Sequence, residues 1–230
     1  MKDRSEGRES GLLSDAVNPK DLVKAGFDMV SHAYRGDTFD SRANPFYHDC
    51  LELLAGRLVA GSRVLDLGCG CGIPATEELS RRHRVTGVDI SPVQVERARS
   101  LAPRAEFVCA DMTAIVLPAG EFDAVLSLYA IIHIPVDEQP CMFGRIRNWL
   151  KPGGWFLCTV GHKAWTGTEE NWLGVAGATM FWSHADQATY QTWLRNAGFR
   201  SETTRFVPEG DGGHSLFLAQ AGYEDSHPIR

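Results

Sequence analysis

Short runs rich in β-branched and aromatic residues alternate with stretches of helical periodicity along most of this chain. The strand-like runs are RVLDLG, RVTGVDI, AEFVCAD and FDAVLSLY. The helical stretches are PATEELSRR, SPVQVERARSLA and DEQPCMFGRIRNWL. A capping box of Ser91 and Gln94 marks the start of the second helix. Strands that alternate with helices at this spacing form βαβ units and a parallel sheet, so the pattern predicts an α/β fold.

The last third of the chain continues this pattern and then changes it. WFLCTVG is predicted as a fifth strand. Ser183 and Asp186 are predicted to start a helix over HADQATYQTWLRNAGF, and Gly198 to end it. The closing runs TTRFVPE and HSLFLAQ, joined by GDGG, are typical of an antiparallel pair of strands.

Length, composition and charge narrow the class of protein. The chain has 230 residues, 43% of them hydrophobic, and a formal net charge of −6. No dense Lys/Arg block is present, and we therefore expect no nucleic-acid partner. The N-terminus lacks a signal-peptide core, and no apolar run is long enough to span a bilayer. These features predict a cytoplasmic protein with no membrane partner.

The predicted organisation is one main domain with additions. Residues 1–18 are predicted as a flexible tail, 19–60 as a helical cap, 61–222 as the main domain and 223–230 as a C-terminal tail. Within the main domain, residues 161–185 follow the fifth strand and are predicted to belong to no regular element. A loop this long and aromatic is more often functional than idle, so we interpret it as a lid. The sequence predicts no oligomeric state.

The cysteine pattern argues against a metal site. Six cysteines are scattered along the chain, at Cys50, Cys69, Cys71, Cys109, Cys141 and Cys158. Cys69 and Cys71 have C-x-C spacing, which is not the C-x-x-C spacing of zinc or thioredoxin-like sites, and no second pair completes four ligands. We therefore predict free thiols and no metal.

The motif VLDLGCGCG, Val64 to Gly72, joins a predicted strand to a glycine loop. A dinucleotide fingerprint would have its third glycine where Ile73 stands. Asp66, just before the loop, would also repel a pyrophosphate. A ligand without phosphate, which carries a cationic amine and a sulfonium beside an adenosine, removes this conflict. S-adenosylmethionine is such a ligand, and the motif disfavours an NAD-type cofactor.

Four motifs together resemble those of the class I S-adenosylmethionine-dependent methyltransferases, in particular the group that acts on small natural products. They are VLDLGCGCG, VTGVDIS, CADM and FDAVLSLYAIIHIP, and the resemblance covers about Pro45 to Ala221. It implies a Rossmann-like, seven-stranded, mostly parallel sheet with helices on both faces, an antiparallel last strand and an N-terminal helical cap. It also implies S-adenosyl-L-methionine as cofactor and S-adenosyl-L-homocysteine as product.

The resemblance implies cofactor-binding roles for Tyr34, Asp66, Gly68, Cys69, Gly70, Asp89, Ile90, Asp111, Met112, Ser127 and Leu128. Asp66 would lie near the amino group of the methionine part, and Asp89 would accept hydrogen bonds from both ribose hydroxyls. Asp111 and Met112 would flank the adenine, and Tyr34 would reach the methionine end from the cap. Asp89 and Asp111 have a simpler alternative role, which is to start turns after strands.

Candidate catalytic and acceptor-binding residues follow the fourth and fifth strands. His133 is predicted as a general base, with a helix cap or structural packing as the alternative. The predicted acceptor site consists of Tyr129, His162, Trp165, Trp172, Phe181, Trp182 and His184. Glu209 and His214 are expected near the same rim. Alternatively, the tryptophans only seal the edge of the core.

These features together predict methyl transfer to a small planar or apolar acceptor, such as a secondary metabolite of an antibiotic pathway. Oxygen is favoured as the methylated atom because His133 offers a base, and sulfur or nitrogen follow. DNA-base methylation is disfavoured because SLYAIIHIP stands where an Asp- or Asn-Pro-Pro-aromatic motif would be. The alternatives are a peptide or protein acceptor, an NAD-dependent oxidoreductase and a non-catalytic binding protein.

Overall fold

The computed structural model describes residues 18–39, 44–210 and 212–222. The two predicted tails, apart from Asn18, and Asp211 in the last predicted turn lie outside the described residues. The helices are α1 (Pro19–Tyr34), α2 (Pro45–Ala55), α3 (Ala75–Ser80), α4 (Pro92–Leu101), α5 (Gln139–Trp149) and α6 (Gln187–Asn196). Among these described helices, none combines the length and apolar character that a membrane span requires.

The strands are β1 (Arg63–Leu67), β2 (Arg84–Asp89), β3 (Glu106–Cys109), β4 (Phe122–Ser127), β5 (Leu150–Gly161), β6 (Trp165–Glu169), β7 (Met180–His184), β8 (Phe199–Glu209) and β9 (Gly212–Ala221). Seven of them form one sheet in the order β3-β2-β1-β4-β5-β9-β8. β1 to β5 pair in parallel, and β9 runs antiparallel to β5 and β8. The predicted Rossmann-like α/β fold is confirmed. The strand order reverses between β1 and β4. Such a reversal leaves a crevice at the carboxyl ends of the strands, where open α/β sheets bind their ligands.

The residues of β1 alternate between the two faces of the sheet. Leu65 and Leu67 belong to a core cluster shared with α5 and α6, whereas Val64 belongs to a second cluster shared with α2 and α3. Asp66 stands between the two leucines, so the same alternation directs it to the face of α2 and α3. A carboxylate that is only 3% exposed therefore ends a hydrophobic strand.

The segment 161–185 is not irregular, and the prediction for it was wrong. β6 and β7 pair as an antiparallel two-stranded sheet, with Trp165 opposite His184 and Glu169 opposite Met180. A 3-10 turn, Trp172–Gly174, lies in the connection between them. The hairpin was missed because TGTE has a weak strand pattern and the long connection, residues 170–179, carries no tight-turn signal.

Two helix starts differ from their predicted form. Ser91 caps α4, because its Oγ accepts from the Gln94 backbone N–H at 3.0 Å. The Gln94 side chain does not complete the box, since its Oε1 accepts from Ser31 Oγ of α1 at 2.8 Å. Asp186 caps α6, whereas Ser183 lies in β7. The hydrogen bond between Ser31 and Gln94 connects the N-terminal helix α1 to α4.

A buried glutamine ties the β6–β7 hairpin to the rest of the fold. Gln139 at the start of α5 is fully buried. Its Nε2 lies 2.7 Å from the carbonyl oxygens of Ile134 and Ser183 and 3.1 Å from that of Ile131. The Tyr190 hydroxyl donates to Gln139 Oε1 at 2.7 Å. This one side chain therefore connects the turn after β4, the hairpin strand β7 and α6.

We predict that Gln139→Leu destabilises the protein by about 2–4 kcal/mol, because buried carbonyl groups and the Tyr190 hydroxyl lose their partner. Tyr190→Phe is the matched control, because it removes a single hydroxyl and should cost about 1 kcal/mol. Urea unfolding of both variants measures the two losses. Equal losses would show that the amide is not the central link.

Candidate active site

The loop after β1 turns sharply at its glycines. Gly68, Gly70 and Gly72 have φ angles of 73°, 55° and 82°, in the left-handed region that glycine adopts without strain. The N–H groups of Gly68 and Cys69 donate to the Val88 carbonyl oxygen at 2.7 and 3.1 Å, which anchors the loop to β2. A Cβ atom at Gly70 would meet no atom within 4 Å. The missing side chain of Gly70 therefore leaves open space for a ligand.

Asp66 is the buried carboxylate at the end of β1. It accepts a hydrogen bond from Thr76 Oγ1 at 2.5 Å. Burial raises the pKa of Asp66 to about 7, the hydrogen bond from Thr76 opposes this rise, and the charge of Asp89 adds to it. A cation beside Asp66 would offset the cost of ionising it, whereas a phosphate would increase that cost.

Asp89 ends β2 and holds the glycine loop from the other side. Its Oδ2 accepts from the Gly70 N–H at 2.8 Å, and its Oδ1 accepts from the Ser91 N–H at 2.9 Å. Burial nevertheless raises the pKa of Asp89 to about 6. Each carboxylate oxygen has a further lone pair, so both can accept from the hydroxyls of a ribose. The two carboxylates and the open loop fit S-adenosylmethionine and disfavour a pyrophosphate.

The residues at the ends of β1 and β2 line a cleft at the edge of the sheet. Lys20 of α1 lies at the end of this cleft where the adenine is predicted to bind. Lys20 Nζ is 3.1 Å from Asp111 Oδ2, 2.7 Å from Glu138 Oε2 and 2.9 Å from Thr113 Oγ1. Burial alone would raise the pKa of Asp111, but hydrogen bonds from Thr113 and the charge of Lys20 hold it below its usual value. An adenine amine would therefore share Asp111 with Lys20. Sequence reasoning missed Lys20, because its partners are distant in sequence.

Arg35 lies at the opposite end of the cleft and was also missed. It lines the same recess as Asp66 and donates to Tyr47 Oη at 2.8 Å. Its guanidinium lies 5.5 and 5.0 Å from the ring centroids of Tyr34 and Tyr47. A cation and a buried carboxylate in one recess suit a zwitterion such as the amino-acid part of the predicted cofactor. The run YRGD was the available signal in the sequence.

The cleft is lined by every residue that the sequence predicts for the cofactor, except Ser127. Ser127 is fully buried behind the wall, and its Oγ donates to the Leu67 carbonyl oxygen at 3.0 Å. Val23 and Phe27 of α1 line the same cleft. The binding roles of these residues stay predictions, but the residues line two recesses of the cleft that share Tyr34, Gly68, Gly70 and Leu128.

A second cavity of about 560 Å³ adjoins the cleft, within the size range of small-molecule sites. Tyr34, Tyr129 and His133 line both spaces and mark the passage between them. The cavity wall is mostly aromatic and aliphatic. Its polar and charged members other than tyrosine are Arg35, Asn44, His133, Glu209 and His214. We call this space the acceptor cavity.

The acceptor cavity divides the predicted acceptor residues into two groups. Its wall contains Tyr129, Trp172 and Trp182. The wall formed by the described residues does not contain His162, Trp165, Phe181 or His184. Successive residues of a strand point to opposite faces, so Trp182 and Phe181 cannot both face the cavity. This alternation was hidden from sequence reasoning because the segment was not predicted as a strand.

The residues outside the cavity wall have other contacts. Trp165 is 49% exposed, and its ring centroid lies 6.2 Å from that of Trp182. His162 Nδ1 is 3.1 Å from Ser215 Oγ, and His184 Nδ1 is 2.6 Å from the Lys163 carbonyl oxygen.

Within the described part of the chain, no cluster of three or more His, Cys, Asp or Glu side chains could hold a metal ion.

His133 stands at the passage between the two spaces. It is 7% exposed, and its Nδ1 lies 2.7 Å from the Phe181 carbonyl oxygen. Because a carbonyl only accepts, Nδ1 carries the hydrogen in this arrangement and Nε2 carries the lone pair. Burial lowers the pKa of His133 to about 4. His133 is therefore neutral at physiological pH, able to accept a hydrogen bond at Nε2 but weakly basic.

Three non-glycine residues near this passage have a left-handed backbone conformation. Tyr129 has a φ of 57°, and its N–H donates to Thr159 Oγ1 at 2.5 Å. Asn171 and Leu173, on either side of Trp172, have φ angles of 54° and 55°. Non-glycine residues adopt this region at a cost, and such strain concentrates at ligand sites. Tyr129 itself and both neighbours of Trp172 thus have this conformation where their segments meet the cavity wall.

Aromatic contacts join α1 to the β6–β7 hairpin above the passage. The ring centroid of Trp172 lies 5.6 Å from that of Phe27, 5.7 Å from that of Tyr34 and 5.3 Å from that of Trp182. These distances are typical of favourable aromatic pairs. The N-terminal helix and the hairpin therefore close over the same point from two sides.

The comparisons with known proteins agree with this geometry. Residues 64–154 match the family model of a methyltransferase domain. This range contains the glycine loop, both buried carboxylates and His133. The chain is 36% identical over 147 residues to a sterol 24-C-methyltransferase of Gibberella zeae, which covers 59% of this chain and 37% of that protein.

A second relative and a solved structure extend the comparison. The 27-O-demethylrifamycin SV methyltransferase of Amycolatopsis mediterranei is 32% identical over 172 residues, which is 69% of this chain and 62% of that protein. The chain thus spans less than two thirds of either relative. A similar solved structure is that of magnesium protoporphyrin IX methyltransferase from Synechocystis, with bound S-adenosylmethionine. Its superposition on this chain has a TM-score of 0.68 and 19% sequence identity, and it covers 91% of this chain and 100% of that chain.

The class of protein follows from fold, motifs and comparisons together. The chain carries a methyltransferase domain, and its sheet is that of the class I S-adenosylmethionine-dependent methyltransferases. The resemblance to the class I S-adenosylmethionine-dependent methyltransferases is confirmed, and the natural-product group stays a prediction.

The burial of Asp66 generates a prediction about pH. In the folded protein its carboxyl stays protonated up to a pKa of about 7, whereas its ordinary value is 3.8. The folded state therefore binds more protons than the unfolded state between these values, and the ligand-free protein loses stability as pH rises through this window. Asp66→Asn removes the loss while it keeps an acceptor for Thr76. Above the window, we expect the variant to be roughly 2–4 kcal/mol more stable than the wild type.

Urea unfolding without ligand, at several pH values from acid to alkaline, measures this difference. The gap between variant and wild type should widen with pH and then become constant. A gap that does not change with pH would contradict the ionisation of Asp66 as its cause.

Proposed function

We propose that the protein transfers a methyl group from S-adenosylmethionine to a small-molecule acceptor, with oxygen as the favoured atom. The observation that carries the proposal is the passage at Tyr34, Tyr129 and His133, where the cofactor cleft and the acceptor cavity meet. A methyltransferase has to bring a donor and an acceptor together in line, and two adjoining spaces of this kind do so.

The cofactor cleft would hold S-adenosylmethionine through residues already described. Asp89 would accept from the ribose hydroxyls, and Asp66 and Arg35 would face the amino-acid part. Asp111 and Met112 would flank the adenine beside Lys20. S-adenosylmethionine supplies, when bound, an electrophilic methyl group on a sulfonium. The residues around the passage then have to exclude water and orient the acceptor.

The size and chemistry of the acceptor cavity support a small molecule. A cavity of about 560 Å³ with aromatic walls encloses a planar or apolar metabolite better than an extended peptide. The relatives named above are methyltransferases of a sterol and of a rifamycin, and the structural neighbour is one of a porphyrin. A secondary metabolite is the class of acceptor that we propose.

His133 would orient the acceptor. Its neutral ring accepts a hydrogen bond at Nε2, because Nδ1 donates to Phe181. A hydroxyl that donates to Nε2 would direct an oxygen lone pair towards the cofactor cleft. Its low pKa makes His133 a poor proton acceptor, so we assign it an orienting role and retain base catalysis as a prediction to be tested.

The experiment that tests the proposed function is incubation with S-adenosylmethionine and a panel of hydroxylated aromatic and polycyclic compounds, together with matched thiols and amines. Mass spectrometry would detect S-adenosylhomocysteine and an acceptor heavier by one methylene. We expect turnover with hydroxylated planar compounds. Methylation of peptides or proteins with no small molecule turned over would contradict the proposal.

Two tryptophans of the hairpin give a matched pair for the acceptor cavity. Trp172 lines the cavity, whereas Trp165 is half-exposed outside its wall. With an acceptor from the panel, Trp172→Ala should raise KM about tenfold through lost aromatic contact, and Trp165→Ala should change KM less than about twofold. Steady-state kinetics measures both. A larger effect at Trp165 would move the acceptor along the hairpin to the end where Trp165 pairs with His184, outside the cavity wall.

A further inference from the structure

The acceptor cavity contains a second histidine, on the hairpin formed by β8 and β9. His214 pairs with Val207 in the register of the two strands. Its side chain is 18% exposed, and its Nδ1 lies 2.9 Å from Glu209 Oε2. Both residues line the acceptor cavity. The Nδ1–Oε2 distance is that of an ion pair, although the angles between the two groups are not those of a hydrogen bond. A carboxylate this close to Nδ1 favours a hydrogen on that nitrogen, which leaves the lone pair on Nε2.

The position of His214 relates it to the passage. Its ring meets the Tyr129 ring edge to face, with a centroid distance of 5.1 Å and an interplanar angle of 87°. Tyr129 lines both the cavity and the cofactor cleft. An aromatic acceptor that lies against Tyr129 would thus have His133 and His214 as its imidazole neighbours in the cavity wall.

The two histidines differ in what would stabilise a proton. The Nδ1 of His133 faces a neutral carbonyl oxygen, and burial lowers the pKa of His133 to about 4. The Nδ1 of His214 faces a carboxylate, and contact with His214 lowers the pKa of Glu209. An imidazolium at His214 would therefore have a carboxylate 2.9 Å from its Nδ1 as counter-ion, whereas an imidazolium at His133 would have none among its described hydrogen-bond partners.

We propose that His214 is the proton acceptor for a planar phenol-type acceptor, that Glu209 is its positioning residue, and that His133 only orients the hydroxyl. This inference rests on the proposed function of the same site. It specifies the acceptor class, because an aromatic wall suits a planar ring and an imidazole base suits the acidity of a phenol better than that of an aliphatic alcohol.

The proposed step balances without any additional reactant. The oxygen–hydrogen bond of the phenol breaks, and its proton goes to Nε2 of His214. An oxygen electron pair forms the new bond to the methyl carbon, and the electron pair of the carbon–sulfur bond stays on sulfur, which becomes a neutral thioether. The imidazolium of His214, paired with Glu209, then releases the proton to solvent.

The test uses 4-nitrophenol as a coloured probe, because its phenolate and phenol absorb at different wavelengths. The full chain is first saturated with S-adenosylhomocysteine, and 4-nitrophenol is then titrated at a pH below its own pKa. Calorimetry measures the binding of both compounds independently of colour. We expect the wild type to bind the probe as phenolate.

Variants separate the two histidines. His214→Gln and Glu209→Gln should reduce the phenolate fraction of the bound probe about tenfold or more while S-adenosylhomocysteine binding is unchanged, and Glu209→Asp should restore part of it. His133→Gln should weaken binding of the probe but leave the phenolate fraction of the bound probe unchanged, whereas the control His48→Gln on the exposed side of α2 should change neither. Glu209 is largely exposed, so its replacement tests the dyad even where His214→Gln fails to fold.

The outcomes distinguish this inference from the proposed function. Loss of the phenolate signal in His133→Gln but not in His214→Gln would overturn the assignment of the base. Failure of 4-nitrophenol to bind while S-adenosylhomocysteine binds would overturn the phenol class and leave the methyltransferase proposal standing. Failure of S-adenosylhomocysteine itself to bind the folded wild type would overturn both.

Discussion

The buried amide of Gln139 is the interaction that links the wall shared by both ligand spaces to the β6–β7 hairpin. It joins the turn that carries His133 to strand β7 of the hairpin and to α6. His133 lines both spaces, and the same strand β7 supplies the Phe181 carbonyl oxygen that sets its tautomer. Polar groups buried in a hydrophobic core stay in place because leaving them unpaired is costly, so a few hydrogen bonds determine how the hairpin closes over the sheet.

A second constraint concerns the two carboxylates at the crevice of the sheet. Asp66 and Asp89 are both buried, and burial raises both pKa values. Asp89 is fixed by the N–H groups of Gly70 and Ser91, while the space beside Gly70 is open. The fold thus holds negative charge at a cost that a cationic, hydroxyl-rich ligand would offset. The same buried carboxylates therefore favour a cationic cofactor and, through Asp89, hold the glycine loop in place.

The sheet and the positions of the residues at its strand ends were predictable from sequence because their signals are local, whereas the cofactor-binding roles came from the family resemblance and stay predictions. Strand periodicity gave the α/β fold, and strand-end residues such as Asp66 and Asp89 follow directly from the strands that carry them. The contacts of Lys20 with Glu138, and of Arg35 with Tyr47, depend on α1 lying over the sheet, which periodicity cannot show. The segment that carries Trp165 was not predicted as a strand, so its register was hidden. That register places Trp165 on the same face of the hairpin as Trp182 but outside the cavity wall, and strand alternation turns only Phe181 to the opposite face.

The most direct test of the central claim is calorimetric titration of the purified chain with S-adenosylhomocysteine and, in parallel, with NAD. We expect micromolar binding of S-adenosylhomocysteine, because two buried carboxylates and a glycine loop fit its amino and ribose groups. We expect no heat from NAD, whose pyrophosphate those carboxylates repel. Binding of NAD with none of S-adenosylhomocysteine would contradict the assignment of Asp66 and Asp89, and with it the proposed methyl transfer.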